Sequence, residues 1–156
     1  LPQHNTRIER WPDFFRDYRL EPQVGLARER EDWNACWDVP LASLYRRLGD
    51  LLPEQPEASI LHGDLWSGNF MVTSTGRAAL IDPAAYYGHR ETDLAMTELF
   101  GGFQGRFYRS YKEAWPLEPG YTERRDVYNL YHLVNHLNHF GHSYAGSVAS
   151  ILERHL

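Results

Sequence analysis

Ile60-Leu61-His62-Gly63-Asp64-Leu65-Trp66-Ser67-Gly68-Asn69-Phe70, followed a short way on by Leu80-Ile81-Asp82-Pro83, is the stretch that decides how this chain folds. Apolar residues lead into a polar loop that holds a His, an Asp and an Asn, and apolar residues lead out again. That is the pattern of a loop pinned between buried segments. Phe70-Met71-Val72-Thr73 and Ala78-Ala79-Leu80-Ile81 read as two short strands, and Ser74-Thr75-Gly76-Arg77 between them has the composition of a hairpin turn. The turn returns the end of the second strand to the start of the first, so Asp82 is expected beside Asn69. Three oxygen-bearing side chains, Asp64, Asn69 and Asp82, then converge.

Phosphoryl transfer calls for such a set. A carboxylate within reach of an attacking hydroxyl accepts its proton, and Mg²⁺ on hard oxygen ligands neutralises charge on the nucleotide phosphates. Asp64 is the candidate base, and Asn69 and Asp82 are the candidate metal ligands. The interval from Asp64 to Asn69 matches that of the protein-kinase catalytic loop H-R-D-L-x-x-x-N, with Asp82 in the place of the D-F-G aspartate. Taken singly, an Asp or Asn in a turn commonly bonds its own backbone, and a lone His such as His62 is commonly a core residue. The ordered set with its hairpin favours the functional reading.

The string His62-Gly63-Asp64-Leu65-Trp66-Ser67-Gly68-Asn69, with Asp82-Pro83-Ala84-Ala85-Tyr86-Tyr87-Gly88-His89-Arg90-Glu91-Thr92-Asp93-Leu94-Ala95-Met96, resembles the fructosamine kinase (ketosamine 3-kinase) family. Those enzymes are relatives of the aminoglycoside phosphotransferases with a protein-kinase-like fold. Residues 128–144, with Leu137-Asn138-His139-Phe140-Gly141 and Tyr144, look like the family's closing helix. Asn5-Thr6 and residues 11–20 look like the segment entering its C-terminal lobe. The resemblance covers nearly the whole chain but only the second half of the family's length. It implies an α+β, mostly helical fold, the C-terminal lobe of a protein-kinase-like enzyme, with a small β-hairpin carrying the catalytic and metal loops. It also implies ATP and Mg²⁺ as cofactors, a ketosamine acceptor, and for Asp93 a supporting role through hydrogen bonds to the catalytic-loop backbone. The alternative for Glu91 and Asp93 is an electrostatic preference for a helix N-terminus.

Composition sets bounds on these readings. At 156 residues and 42% apolar content the chain has enough for one core and not for two, so residues 1–156 are expected to form a single unit. A formal charge of −5 and the absence of basic clusters beyond Arg46-Arg47 and Arg124-Arg125 argue against a nucleic-acid partner. Both arginine pairs read as solvated helix faces. One cysteine, Cys36, rules out an internal disulfide, and no apolar run reaches the length of a membrane span. The expectation is a soluble, cytoplasmic protein. Lys112 is the single lysine, and it lies well after the catalytic loop. Kinase-fold enzymes hold the ATP phosphates with an N-terminal-lobe lysine under a glycine-rich loop. Neither is recognisable here and the chain does not begin with Met, so the expectation is a C-terminal lobe that lacks its nucleotide lobe.

Working outward, Trp11, Phe14, Phe15 and Tyr18 predict a helix over residues 11–20, with Pro12 in its first turn and the aromatic stripe facing the core. Pro22 and Gly25 interrupt it, and a helix resumes over 26–35. Leu41, Leu44, Tyr45, Leu48, Leu51 and Leu52 predict the next helix, and residues 53–57 lead from it to the catalytic strand. Residues 83–88 are expected to be a loop over the site, with Tyr86 and Tyr87 open to substrate contact or to packing. Helices follow over 92–100, ended by Gly101-Gly102, over 106–115, and from a Thr122 cap to Gly141.

His132, His136 and His139 share a face of the last helix, with His142 beyond it. The possible roles are a transition-metal site, substrate contact, and ordinary solvated or core histidines. The family's closing helix borders its sugar pocket, which makes His136 the substrate candidate. Trp66, two residues past the base, is placed either to stack on a sugar or to brace the loop. The rival readings are a kinase for another acceptor, such as an aminoglycoside or a choline-like alcohol, a catalytically silent lobe, and a metal-binding helical protein.

Overall fold

Pro22, an expected break, lies within a helical run in the computed structural model, which describes residues 3–156. The chain forms α1 (Trp11–Phe15), a π-helical turn (Arg16–Leu20), α2 (Glu21–Glu29), a 3-10 turn (Ala35–Trp37) and α3 (Asp38–Leu51). It continues through β1 (Ala58–Leu61), β2 (Phe70–Val72), β3 (Ala78–Leu80), β4 (Tyr86–His89), α4 (Glu91–Leu99), α5 (Gly105–Ala114), α6 (Tyr121–Phe140) and α7 (Ala145–Leu152). The architecture is α+β and mostly helical. Contacts within the chain divide it into a helical unit, Leu1–Pro56 with Asn129–Leu156, and a mixed unit, Glu57–Tyr128.

In the helical unit the π turn explains how the chain passes Pro22. Proline has no N–H to give the carbonyl four residues back, and its ring crowds that carbonyl in an α-helix. Pro22 has no N–H for the Tyr18 carbonyl four residues back, and the turn before it is widened, with the Glu21 N–H reaching the Arg16 carbonyl. Arg19 uses the Tyr18 acceptor. Its Nη1 donates to the Tyr18 and His4 carbonyls at 2.8 and 3.0 Å, and its Nη2 donates to Asn5 Oδ1 at 2.8 Å. A fully buried guanidinium is thereby hydrogen-bonded and lies 4.6 Å from the Phe14 ring centroid. Trp11, Phe14 and Tyr18 stack in succession, and Phe15 meets Tyr131 edge-on at 6.3 Å.

The expected helix over 26–35 is corrected: α2 ends at Glu29, and Glu31 turns the chain at φ +62°. The core gathers Leu20, Val24, Leu44, Leu130, Val134, Leu137 and Leu152, each fully buried. Each such side chain contributes about 1.5–3 kcal/mol on burial. Asn138 Nδ2 donates to both the backbone and side-chain oxygens of Gln23 at 2.9 Å, and Arg30 donates to the Asn138 carbonyl, fixing α2 against the end of α6. Gly141, at φ +73°, ends α6. The closing segment then continues as a 3-10 turn, Gly141–Tyr144, and as α7, which buries Val148, Ile151 and Leu152.

In the mixed unit the strands form two antiparallel pairs. β2 and β3 register Phe70 opposite Leu80 and Val72 opposite Ala78, and Gly76 at φ +76° makes the turn between them. β1 pairs with β4, Ile60 opposite Tyr87 and Leu61 opposite Tyr86. The expected loop over 83–88 is therefore a strand from Tyr86 onward, and its alternation separates the two tyrosines: Tyr86 is buried, Tyr87 is 71% exposed.

Two further expectations fail here. Arg124 is not on a solvated face: its Nε and Nη2 grip the fully buried Glu91 at 2.6 and 3.0 Å, while Nη1 and Nη2 hold the carbonyls of Pro119 and Glu118. Thr122 does not cap α6. The Gly120 carbonyl accepts the first helical bond, from Arg124, and Thr122 is already inside the helix.

Candidate active site

The polar loop between β1 and β2 is held from three sides within the mixed unit. Asp93, in the first turn of α4, accepts the His62 N–H at Oδ2 (2.7 Å) and the Gly63 N–H at Oδ1 (2.9 Å). Burial pushes the Asp93 carboxyl up, and the two backbone N–H groups, Gly63 foremost, pull it back. The Ala84 N–H donates to the His62 carbonyl at 2.8 Å, and the loop comes so close to this segment that a Cβ at Gly63 would lie 2.1 Å from the Ala84 oxygen. Gly63, at φ +80°, is required by both the conformation and the approach.

The His62 ring supplies the third link. A carbonyl can only accept, so the 2.9 Å contact with the Ile81 oxygen places the proton on Nε2. Nδ1 is then the acceptor for the Asp64 N–H at 3.3 Å. His62 thus ties the end of β3 to the backbone of the candidate base.

Asn69 completes the arrangement. Its Nδ2 donates to the Asp64 carbonyl and to Asp64 Oδ2, both at 2.9 Å, in a short 3-10 turn, Ser67–Asn69. The amide nitrogen is fully used and Oδ1 remains. The Ile81 N–H donates to the Asn69 carbonyl at 3.0 Å, so the hairpin brings the chain entering Asp82 alongside Asn69. Asp82 adopts φ +52°, a left-handed conformation that Asp tolerates better than most residues, between the bonded residues Ile81 and Ala84. Its carboxylate is exposed and has no hydrogen-bond partner among the described residues. The donor set fits a hard divalent cation: one neutral amide oxygen and one carboxylate, both oxygen, with neither nitrogen nor sulfur.

Trp66 is 39% exposed, and its ring lies over Gly68, where a Cβ would meet Cη2 at 2.2 Å. Gly102 similarly leaves no room for a Cβ against Ser67, at 2.4 Å. Of the apolar residues flanking the loop Leu61 is buried, but, contrary to expectation, Ile60, Phe70, Met71, Val72, Leu80 and Ile81 are exposed. Strands this short bury only what a neighbouring layer covers, and no layer within this unit covers that face.

His136 lies in the helical unit, where its Nδ1 donates to the His132 carbonyl at 2.8 Å and its ring packs by Phe140 and Tyr144. His139 donates in the same way to Asn135. His132 is a core residue, and burial lowers it to about 3. Among the described residues no group of three or more His, Cys, Asp or Glu is placed to hold a metal ion. Lys112 lies exposed on α5, and no helix among the described residues is long and apolar enough to cross a membrane. The glycines at 63, 68 and 102, where a side chain would collide with the loop or its neighbours, are positions the sequence reading passed over. The G-D-L-W-S-G-N spacing carries the signal for the first two.

The fructosamine kinase family model matches residues 1–156. A probable ketoamine kinase of Synechocystis is 45% identical over 153 residues, which are 98% of this chain and 51% of that relative. The protein-ribulosamine 3-kinase, chloroplastic, of Oryza sativa subsp. japonica is 39% identical over 155 residues, 99% of this chain and 45% of the relative. A crystal structure of a protein assigned as a fructosamine-3-kinase, from Thermobifida fusca YX-ER1, superposes with a TM-score of 0.90 at 34% identity, over 99% of this chain and 54% of that one. The chain spans about half the length of the relatives it matches.

Proposed function

The chain belongs to the fructosamine kinase family, and on that premise we propose that it carries the catalytic base and metal ligands of an ATP-dependent kinase acting on a sugar hydroxyl of ketosamines. The observation that carries the reading is the pair of hydrogen bonds that Asn69 Nδ2 donates to the Asp64 carbonyl and to Asp64 Oδ2, which fixes the carboxylate while leaving Asn69 Oδ1 free. Asp64 Oδ2 accepts from Asn69, so the other oxygen, Oδ1, is the one to orient and deprotonate the acceptor hydroxyl. Asn69 Oδ1 and the Asp82 carboxylate would hold Mg²⁺. When bound, the ion neutralises phosphate charge in the transition state. His62 and Asp93 keep the loop backbone fixed, so little reorganisation accompanies proton transfer.

Trp66 and Tyr87 are the acceptor-contact residues of the mixed unit, each with an exposed aromatic ring suited to a sugar or its amine carrier. His136, with Phe140 and Tyr144, is a separate candidate on α6. The exposed apolar residues of β1, β2 and β3 are the surface against which the remaining half of the family's length, with its nucleotide-phosphate lysine, would pack. The isolated chain is then expected to bind ATP weakly and turn over little.

The test is a substrate comparison on protein restored to the relatives' full length. Mg²⁺-dependent ATP consumption should respond to fructosyl- and ribulosyl-amines and not to aminoglycosides or choline. A preference for either of the latter would replace the ketosamine reading with that of another small-molecule kinase.

A further inference from the structure

Helix α5 is unlike every other helix of the mixed unit. None of its ten residues is buried, although Phe107, Tyr108 and Tyr111 fall on one side and Arg106, Arg109 and Lys112 are exposed. A helix of this length is marginal without tertiary packing. Beneath it Leu94, Glu98, Tyr108, Tyr111, Leu117 and Tyr121, among others, line a small, partly open cleft with room for about one water molecule. The cleft's carboxylate is already engaged, because Glu98 accepts from the Tyr121 hydroxyl at 2.7 Å and from Arg125 at 3.0 Å.

α5 is held along one side by Tyr111, whose ring centroid lies 5.5 Å from the Arg90 guanidinium, and by attachments at its two ends. At the far end Arg90 donates to the carbonyls of Trp115 and Pro116 at 3.1 and 2.5 Å, with its guanidinium 4.2 Å from the Trp115 ring centroid. At the near end the chain enters through Gly101 and Gly102, at φ +70° and +95°, and meets the catalytic turn directly. Gly102 lies against Ser67. Phe103 contacts Phe70 at 6.2 Å and hands the contact on to Phe107 at 4.8 Å. Ser67 and Phe70 flank Gly68-Asn69, so this end of the strap rests on the turn that positions the Asn69 amide.

We propose that α5 is a strap that undocks as a unit from the catalytic turn, hinged at Gly101-Gly102 and latched by Phe103 on Phe70, with Arg90 retaining its far end. Because α5 buries none of its residues while α4 buries six, opening α5 costs less than opening α4. Opening removes the outer support of Ser67 and Phe70 and loosens Asn69, and with it the bond that orients Asp64. Docking and undocking of α5 thereby set whether the site is assembled. The test needs no turnover, so it stands or fails independently of the kinase reading.

Amide hydrogen exchange of the 156-residue chain, read by mass spectrometry on peptides, is the experiment. In the unaltered chain, α5 should exchange at least about tenfold faster than α4. Phe103→Ala removes the latch and Gly102→Ala drives a Cβ into Ser67, and both should accelerate exchange in α5 and in residues 67–72 while α4 keeps its rate. Protection of α5 equal to that of α4 would overturn the proposal. So would acceleration spread evenly over the mixed unit, or confined to α5 without residues 67–72.

Discussion

The indole of Trp66 occupies the space where a side chain at Gly68 would stand, 2.2 Å from the position of a Cβ. Gly68 is therefore what allows the ring to lie back over its own turn beside Asn69. If Trp66 contacts the acceptor from that position, Gly68→Ala should raise the acceptor KM several-fold by expelling the ring, and Trp66→Ala should do the same. The double variant should be no worse than either single one, because the two changes remove one contact. Steady-state kinetics on the full-length enzyme check this, and additive effects would show that Trp66 only braces the loop.

Asp93 accepts two backbone N–H groups with its two oxygens, so Asp93→Asn turns an NH₂ group toward one of them. A lost acceptor at a largely buried site costs about 1–3 kcal/mol. Urea denaturation should show the midpoint fall with the slope unchanged, together with faster amide exchange at His62 and Gly63.

What was legible in the sequence follows from how local each signal is. The β2–β3 hairpin and α3 were readable because turn composition and apolar periodicity are properties of contiguous residues. The candidate site was readable for the same reason: Asp64 and Asn69 share one loop, and the hairpin delivers Asp82. The passage through Pro22 was not, because it depends on the side chain of Arg19 taking up the Tyr18 carbonyl. The burial of Arg124 was equally hidden, since the partner that draws it inside, Glu91, is distant in sequence. Strand β4 was missed because its pairing partner is β1, and Pro83 and Gly88 gave the segment a loop-like composition. The exposure of the hairpin's apolar residues is a matter of what covers them, which no local pattern encodes.

Glu91→Gln breaks a bidentate pair whose carboxylate is fully buried and leaves the Arg124 guanidinium without its counter-charge. Removing one partner of such a pair costs about 3–5 kcal/mol. Thermal and urea unfolding should both register a loss of that size. A change under about 1 kcal/mol would mean that the carbonyls of Glu118 and Pro119 suffice to hold Arg124.

Acid should weaken the fold before the carboxylates titrate. Burial lowers His89 to about 4 and His132 to about 3, against about 6.5 when unfolded. Both are neutral in the native state and take up protons on unfolding. Their contribution is complete above pH 6.5 and is lost as the pH falls from there toward the folded values, at up to about 1.4 kcal/mol per pH unit for each histidine. Asp93, raised by burial, acts in the opposite direction at lower pH. Denaturation midpoints between pH 7 and pH 5 should decline, and H132L should reduce the slope.

The most direct measurement is single-turnover transfer from ATP to a fructosyl- or ribulosyl-lysine in the presence of Mg²⁺, with the phosphorylated sugar detected by ³¹P NMR, comparing the full-length enzyme with its Asp64→Asn variant. The variant keeps an oxygen acceptor for Asn69 Nδ2 but loses the carboxylate proposed as the base, so the rate should fall by about 10²–10⁴ while the fold is retained. An undiminished rate in the variant, or no phosphorylated sugar from the unaltered full-length enzyme, would contradict the assignment of this site to ketosamine phosphorylation.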